Sequence, residues 1–177
     1  IILIDRDGVI NQKSLRGEYV TKWSNFKWVP DTINAMKLLS KEGFEFIVIT
    51  NQAGVARKMI HENELDNIHQ NMIHELKQNG IKVIDVYVCK HHWEENCSCR
   101  KPNPGMFYRA SDEWLFRLDQ VIYIGDDNRD CQAAYNAGCK SIFIGDDSEI
   151  KNLSLEARPI SSFNKLNDAV QTILSLY

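Results

Sequence analysis

A chain of 177 residues, 44% of them hydrophobic, is long enough for one domain with a substantial core, and a single domain over residues 1–177 is expected. Its formal net charge of -3 gives no electrostatic reason to bind nucleic acid or an acidic membrane. No apolar run approaches the roughly 18 residues of a membrane span, and no segment has the charged, apolar and small-residue order of a secretory signal, so a cytoplasmic protein is expected.

The chain opens on "IILIDRDGVIN", an apolar run that ends in two aspartates, Asp5 and Asp7, with Gly8 permitting a sharp turn. "DTINAMKLLSKEG" follows as a helix, with Asp31 as N-cap, Ile33, Met36 and Leu39 at helical spacing and Gly43 as its stop. "FEFIVIT" reads as a strand buried on both faces. "ENELDNIHQNMIHELKQNG" puts Leu65, Ile68, Met72, Ile73 and Leu76 on one helical face, and "IKVIDVYVC" is the next strand. "VIYIG" and "SIFIG" are two more strands, separated by the helix "NRDCQAAYNAG", and "KLNDAVQTILSLY" is a closing helix. Strands alternating with helices at short spacing predict an α/β fold: a three-layer, Rossmann-like parallel sheet with helices on both faces and no large cap domain. Ligands bind such sheets beyond the carboxyl ends of the strands.

Chemistry concentrates at those ends. Asp5 and Asp7 repel unless a cation compensates, and Mg²⁺ typically takes one or two carboxylates plus phosphate oxygens and water. "VITNQAG" places the Thr50 hydroxyl and the Asn51 amide where a strand stops, "CRKPNPGM" supplies Arg100 and Lys101 ahead of a helix, and "YIGDDNRD" delivers Asp126, Asp127 and Asp130. Acid, hydroxyl, ammonium and acid from four chain positions suit phosphoryl transfer. Asp130 reads equally as a helper at the metal and as a first-turn helical acid.

"CKHHWEENCSCRKP" holds Cys89, His91, Cys97 and Cys99, with His92 as an alternative to His91. Ligands of these types within eleven residues suit a closed, tetrahedral, structural Zn²⁺ site, which would order a loop too poor in apolar residues to order itself. The odd cysteine count also argues against a disulfide framework, and Cys131 and Cys139 read as small buried apolar residues.

The four strand-end motifs, in this order over residues 1–145, resemble the haloacid dehalogenase superfamily of phosphohydrolases. The resemblance implies that Asp5 is the nucleophile that becomes an aspartyl-phosphate, and that Asp7 is the general acid and base. Thr50 and Lys101 would hold the phosphoryl group. Mg²⁺ would be bound by Asp5, the backbone carbonyl of Asp7, and Asp126. Within the superfamily the zinc loop is similar to that of two small capless phosphatases, which act on D-glycero-D-manno-heptose 1,7-bisphosphate and on histidinol phosphate. "TNQAGVARK" and "CRKPNPGM" favour the first, which implies a monomeric phosphatase that removes the 7-phosphate of a small phosphorylated sugar in nucleotide-heptose supply for lipopolysaccharide. Asn51, Gln52, Arg57, Arg100, Glu18 and Tyr19 would then contact substrate. One departure stands out: heptose phosphatases often carry Lys where this chain has Asp127. Lys13, Arg16 and Lys22 could replace that charge, or Asp127 and Glu18 could meet the amine of histidinol phosphate. A phosphatase site decayed into a zinc-stabilised binding module is the reading from another class. His61, His69 and His74 are expected to be ordinary helix residues, and Trp23 and Trp28 to pack against the body more than to bind ligand.

Overall fold

The computed structural model describes residues 1–15 and 17–177. The described residues form one parallel six-stranded sheet, in which β1 (Ile2–Ile4) lies between β2 (Phe46–Asn51) and β4 (Ile122–Gly125). Beyond β2 lies β3 (Val83–Cys89); beyond β4 lie β5 (Lys140–Ile144) and β6 (Ser161–Phe163). Ile2, Leu3 and Ile4 are all fully buried, because β1 is covered on both sides.

The alternation of side chains along β1 divides the core in two. Ile2 and Ile4 join the face packed by α1 (Thr32–Lys41), α2 (Glu62–Gln78) and α5 (Leu166–Leu174). Leu3 joins the opposite face, packed by α3 (Gly105–Trp114) and α4 (Asn128–Ala137). Burial of these apolar faces, at about 25 cal/mol per Å² removed from water, is the main force holding the layers together. The chain leaves β1 toward β2 and β3 and then returns to the other side of β1 at β4. A crevice therefore opens above the carboxyl ends of β1 and β4, where the strand order reverses.

The elements expected from the sequence are present, with two differences. Asp31 occupies the cap position of α1, but it does so at φ 68° and its side chain makes no capping hydrogen bond. The three-residue β6 escaped the reading because "SSF" has no apolar run to mark it. No helix among the described residues is long and apolar enough to cross a membrane.

Candidate active site

The floor of the crevice is built around Lys101, which is only 3% exposed. Its Nζ lies 2.9 Å from Asp5 Oδ1 and 2.7 Å from Asp130 Oδ1, and it donates to the Tyr123 hydroxyl at 2.7 Å and the Ile49 carbonyl at 3.0 Å. Burial alone would lower the ammonium's pKa, but Asp130 and Asp5 override it and the pKa is raised, so Lys101 stays charged. Asp130 is thus neither a bystander nor free for other work. Its Oδ2 also accepts from the backbone N–H groups of Asp126 and Asp127, at 3.0 and 3.1 Å, closing a reciprocal capping box at the start of α4. Tyr123 went unnoticed in the sequence; the only hint was a polar-tipped residue in the middle of "VIYIG".

Asp5 and Asp7 have opposite surroundings although one residue separates them. Burial pushes the Asp5 carboxyl up to about 8; Lys101 pulls against this, while Asp130, Asp126 and Asp7 add to it. Burial pushes Asp7 up as well, but the Arg6 guanidinium, with hydrogen bonds from Asn11, Arg6 and Gln52, wins and lowers its pKa below the usual carboxylate value. Arg6 Nη2 donates to both Asp7 oxygens at 2.9 Å, Asn11 Nδ2 to Oδ1 at 2.8 Å and Gln52 Nε2 to Oδ2 at 2.6 Å. Arg6 itself is fully buried, and its Nη1 lies 2.9 Å from His69 Nε2 on α2. Burial, with Arg6 alongside, holds the His69 ring down at about 3, so it is neutral and accepts the Arg6 proton. His69 therefore does more than pack on the sheet.

Asp126 completes the acidic side. A side chain on Gly8, which sits at φ +94°, would land on the Asp126 carboxylate, so glycine serves both the turn and the close approach. Burial and Asp130 push Asp126 up to about 6, partly offset by Lys13, whose Nζ is 2.8 Å from Oδ2. Asp5, Asp126 and Asp130 each place a carboxylate oxygen within 4.8 Å of the others, and Asp126 Oδ1 is buried without a hydrogen-bond partner. A crowded set of oxygen donors with one unpartnered atom fits a hard divalent cation such as Mg²⁺. The Asp7 carboxylate stands outside this set, turned toward Arg6.

Above the floor lies a cavity of about 830 Å³, lined by Thr50, Glu18, Tyr19, Arg57, Arg100 and Trp93 among others. Thr50 is 1% exposed and its hydroxyl accepts from Gln52 Nε2 at 2.9 Å. Asn51 reaches the cavity, but its amide is engaged with the backbone of Lys101 in both directions, at 3.1 Å each. Gln52 is fully buried and absent from the lining, because its amide is drawn beneath Asp7 and Thr50. Arg57 lies over the rings of Tyr19 and Trp93, 5.7 and 5.5 Å from their centroids, bridging three loops at the mouth. Arg100 Nη1 is buried with no hydrogen-bond partner. Trp23 and Trp28 pack with Phe26 at 4.7 and 5.1 Å, away from the cavity.

The departure at Asp127 has a local answer. Arg129 donates to both its oxygens at 2.8 Å, with Lys13 3.7 Å away. Burial raises its pKa, but the Arg129 hydrogen bonds lower it further, so Asp127 is an ionised and paired carboxylate. Of the three cations expected to replace charge here, Lys13 reaches the pair, Lys22 is exposed and outside the lining, and Arg16 lies outside the described residues.

On the rim, Cys89, His91, Cys97 and Cys99 bring one ligand atom each to within 4.8 Å of the others. Neighbouring pairs are 3.1–3.7 Å apart. That matches roughly 3.3–3.8 Å, the edge of a tetrahedron with zinc–ligand bonds of about 2.0–2.3 Å. His92 is not part of the set; its ring accepts from Glu94 N and caps the short turn Trp93–Glu95. Lys101 comes two residues after the last cysteine, so the loop positions the ammonium on the floor.

A parallel sheet with an aspartate pair after its first strand, a threonine at the end of its second, and a buried lysine facing a late acidic pair defines a phosphohydrolase of the haloacid dehalogenase type. Residues 1–153 match the polynucleotide kinase 3 phosphatase family model. The chain is 35% identical over 155 residues to D-glycero-beta-D-manno-heptose-1,7-bisphosphate 7-phosphatase of Rhodopseudomonas palustris, covering 83% of this chain and 84% of that one. It is 32% identical over 151 residues to D-glycero-alpha-D-manno-heptose-1,7-bisphosphate 7-phosphatase of Photorhabdus laumondii, covering 81% of each. The solved D,D-heptose 1,7-bisphosphate phosphatase of B. bronchiseptica, complexed with magnesium and phosphate, superposes with a TM-score of 0.90 at 29% identity, over 99% of this chain and 98% of that one. The chain belongs to the family of these heptose bisphosphate phosphatases, within the haloacid dehalogenase superfamily.

Proposed function

We propose that this chain is a Mg²⁺-dependent phosphomonoesterase that removes the 7-phosphate of D-glycero-D-manno-heptose 1,7-bisphosphate. The observation that carries the chemistry is Asp5 at the strand end, 2.9 Å from a buried Lys101, within a carboxylate set that fits a divalent cation. The names of the relatives supply the substrate class, and relatives named for either anomer are about equally similar.

Asp5 and Asp126 would hold Mg²⁺, together with the backbone carbonyl of Asp7. When bound, the ion supplies Lewis-acid stabilisation of the phosphoryl oxygens. Asp5 attacks phosphorus in line; its new O–P bond forms as the ester O–P bond breaks, and Asp7 gives its proton to the departing alkoxide. Arg6, Asn11 and Gln52 favour the ionised form of Asp7, so the proton it gives would be taken up as the negatively charged phosphoryl group arrives and offsets them. Asp7 then takes a proton from the water that attacks the aspartyl-phosphate, freeing Asp5 and inorganic phosphate. Lys101 and the Thr50 hydroxyl hold the phosphoryl oxygens through both steps. The Cys–His cluster fits Zn²⁺, which would fix the loop bearing Arg100 and Lys101.

Arg129 removes the objection raised by Asp127. The acid is neutralised by its own neighbour, and Arg100, Arg129 and Arg57 remain on the wall for a second phosphate. The same pairing takes Asp127 away from the amine of histidinol phosphate and leaves Glu18, on the cavity lining, as the carboxylate that reading would need. We read residues 1–177 as one domain, since the sheet is continuous, and propose that it acts as a monomer. The test is phosphate release, with Mg²⁺, from both heptose anomers and from histidinol phosphate, with Asp5→Asn as the blank. A clear preference for a heptose bisphosphate is expected; preference for histidinol phosphate overturns the substrate.

A further inference from the structure

Arg6 is the largest fully buried side chain among the described residues, and it stands between the two reactive aspartates. A cation removed from water needs partners for its donors, and although Arg6 Nε is buried without one, both terminal nitrogens have them. One Arg6 terminal nitrogen is taken by both oxygens of Asp7; the other meets His69, which arrives from α2, a different element and 63 residues away. His69 sits on the buried face of α2 between Leu65 and Met72, where an apolar residue would continue the pattern. A ring nitrogen there fixes the guanidinium plane, and that plane fixes the orientation of the Asp7 carboxylate, since both Asp7 oxygens face one Arg6 nitrogen at equal distance. Asn11 and Gln52 hold the same carboxylate from its other sides.

We propose that His69 is a positioning residue for proton transfer in this site: through Arg6 it holds the Asp7 carboxylate in line with the leaving oxygen, without touching substrate. The inference rests on Asp7 acting as the proton donor. A relay of this kind predicts an effect that depends on the leaving group. An alkoxide must be protonated as it departs, whereas p-nitrophenolate leaves with little help, so misplacing Asp7 harms one substrate far more than the other.

The experiment compares first-turnover release of the leaving group, by rapid quench with Mg²⁺, from heptose 1,7-bisphosphate and from p-nitrophenyl phosphate. General acid catalysis contributes about 100-fold or more, so Asp7→Asn should slow alcohol release by that factor while slowing p-nitrophenol release far less. His69→Met, which keeps the volume and removes the acceptor, should show the same pattern at about tenfold on the alkyl ester and under about threefold on the aryl ester. His69→Gln, whose amide oxygen can still accept from Arg6, should restore alkyl release to within about threefold of the unmodified protein. Equal loss on both esters in His69→Met, or no loss, overturns the proposal. If Asp7→Asn itself shows no leaving-group dependence, the assignment of Asp7 as acid falls, and that outcome is distinct from failure of His69→Met alone. Should His69→Met not fold, Arg6→Lys is judged by the same criterion, since one ammonium cannot span His69 and both Asp7 oxygens.

Discussion

The crevice floor and the Cys–His rim are both suited to a metal, and they are built on opposite plans. On the floor, Asp5, Asp126 and Asp130 are hard oxygen donors, crowded and only partly balanced by Lys101 and Lys13, with one buried carboxylate oxygen unpartnered. On the rim, Cys89, His91, Cys97 and Cys99 bring together four soft or borderline donors, the number of a closed tetrahedral site. The first arrangement leaves room for phosphate oxygens and water; the second would enclose a bound ion. The difference teaches that a floor of this kind suits exchange and chemistry, while a rim of this kind would staple a loop whose residues 91 and 93–96 are exposed and cannot order themselves by burial.

The strongest way to break that contrast is Asp5→Asn. Loss of the nucleophile should lower turnover at least about a thousandfold while the cooperative thermal transition is retained, because Lys101 keeps Asp130 as its partner. Activity within an order of magnitude of the unmodified protein would remove Asp5 from the chemistry. Next in size is the rim. Cys99→Ser, or a strong zinc chelator with Mg²⁺ kept in excess, should lower activity by about tenfold or more, and the chelator's effect should be reversed by Zn²⁺ but not by Mg²⁺. Recovery with Mg²⁺ alone would show that the rim is not a separate structural site.

The pH dependence of stability sharpens the floor further. Asp5 and Asp126 are raised to about 8 and about 6. In the metal-free protein these two carboxyls hold protons in the folded state that the unfolded chain has released, so their own contribution to stability is greatest below the unfolded value near 4 and falls as pH rises toward 8, opposite in sign to that of Asp7 and Asp127. A divalent cation binds the ionised floor, so the increase in thermal midpoint on adding Mg²⁺ should grow from pH 5 to pH 8, measured by differential scanning calorimetry. A Mg²⁺ shift that is flat or shrinks over that range would mean the carboxylates are already ionised without it.

What could be read from the sequence follows the distance over which each feature is encoded. The strands and helices are marked by runs and periods of local apolar residues, and the strand-end acids stand out because a charge directly after a buried run is costly unless used. The zinc set was readable because all its ligands fall within eleven residues, though only the fold separates His91 from His92. Arg6, His69, Tyr123 and Gln52 were not readable as a network. Each is unremarkable in its own window and gains its meaning from a contact across strands or onto α2. Arg129 is a different case: residue 127 alone shows the sign of one charge, and the answering cation lies two residues further on, at the start of the same helix.

The smallest expected effect concerns that pair. Arg129 is about half exposed and makes its bonds to Asp127 at the cavity wall, where solvent screening keeps an ion pair weak. If Arg129 also faces a second phosphate, Asp127 and that phosphate compete for one guanidinium. Arg129→Met should then raise KM for the heptose bisphosphate by about tenfold with kcat little changed, and leave the KM of a monophosphate ester alone, as expected for a charge-assisted hydrogen bond of about 1.5 kcal/mol lost from ground and transition states alike. Asp127→Asn frees the same guanidinium from its carboxylate and should lower KM for the bisphosphate by about threefold, a fraction of a kcal/mol, as suits a screened pair. Steady-state kinetics with the bisphosphate and its monophosphate separate the cases. Opposite shifts in the two variants, confined to the bisphosphate, place the second phosphate at Arg129. Parallel shifts on both substrates would instead make the pair a cap for α4, and would leave Arg100, with its buried and unpartnered nitrogen, as the group that meets it.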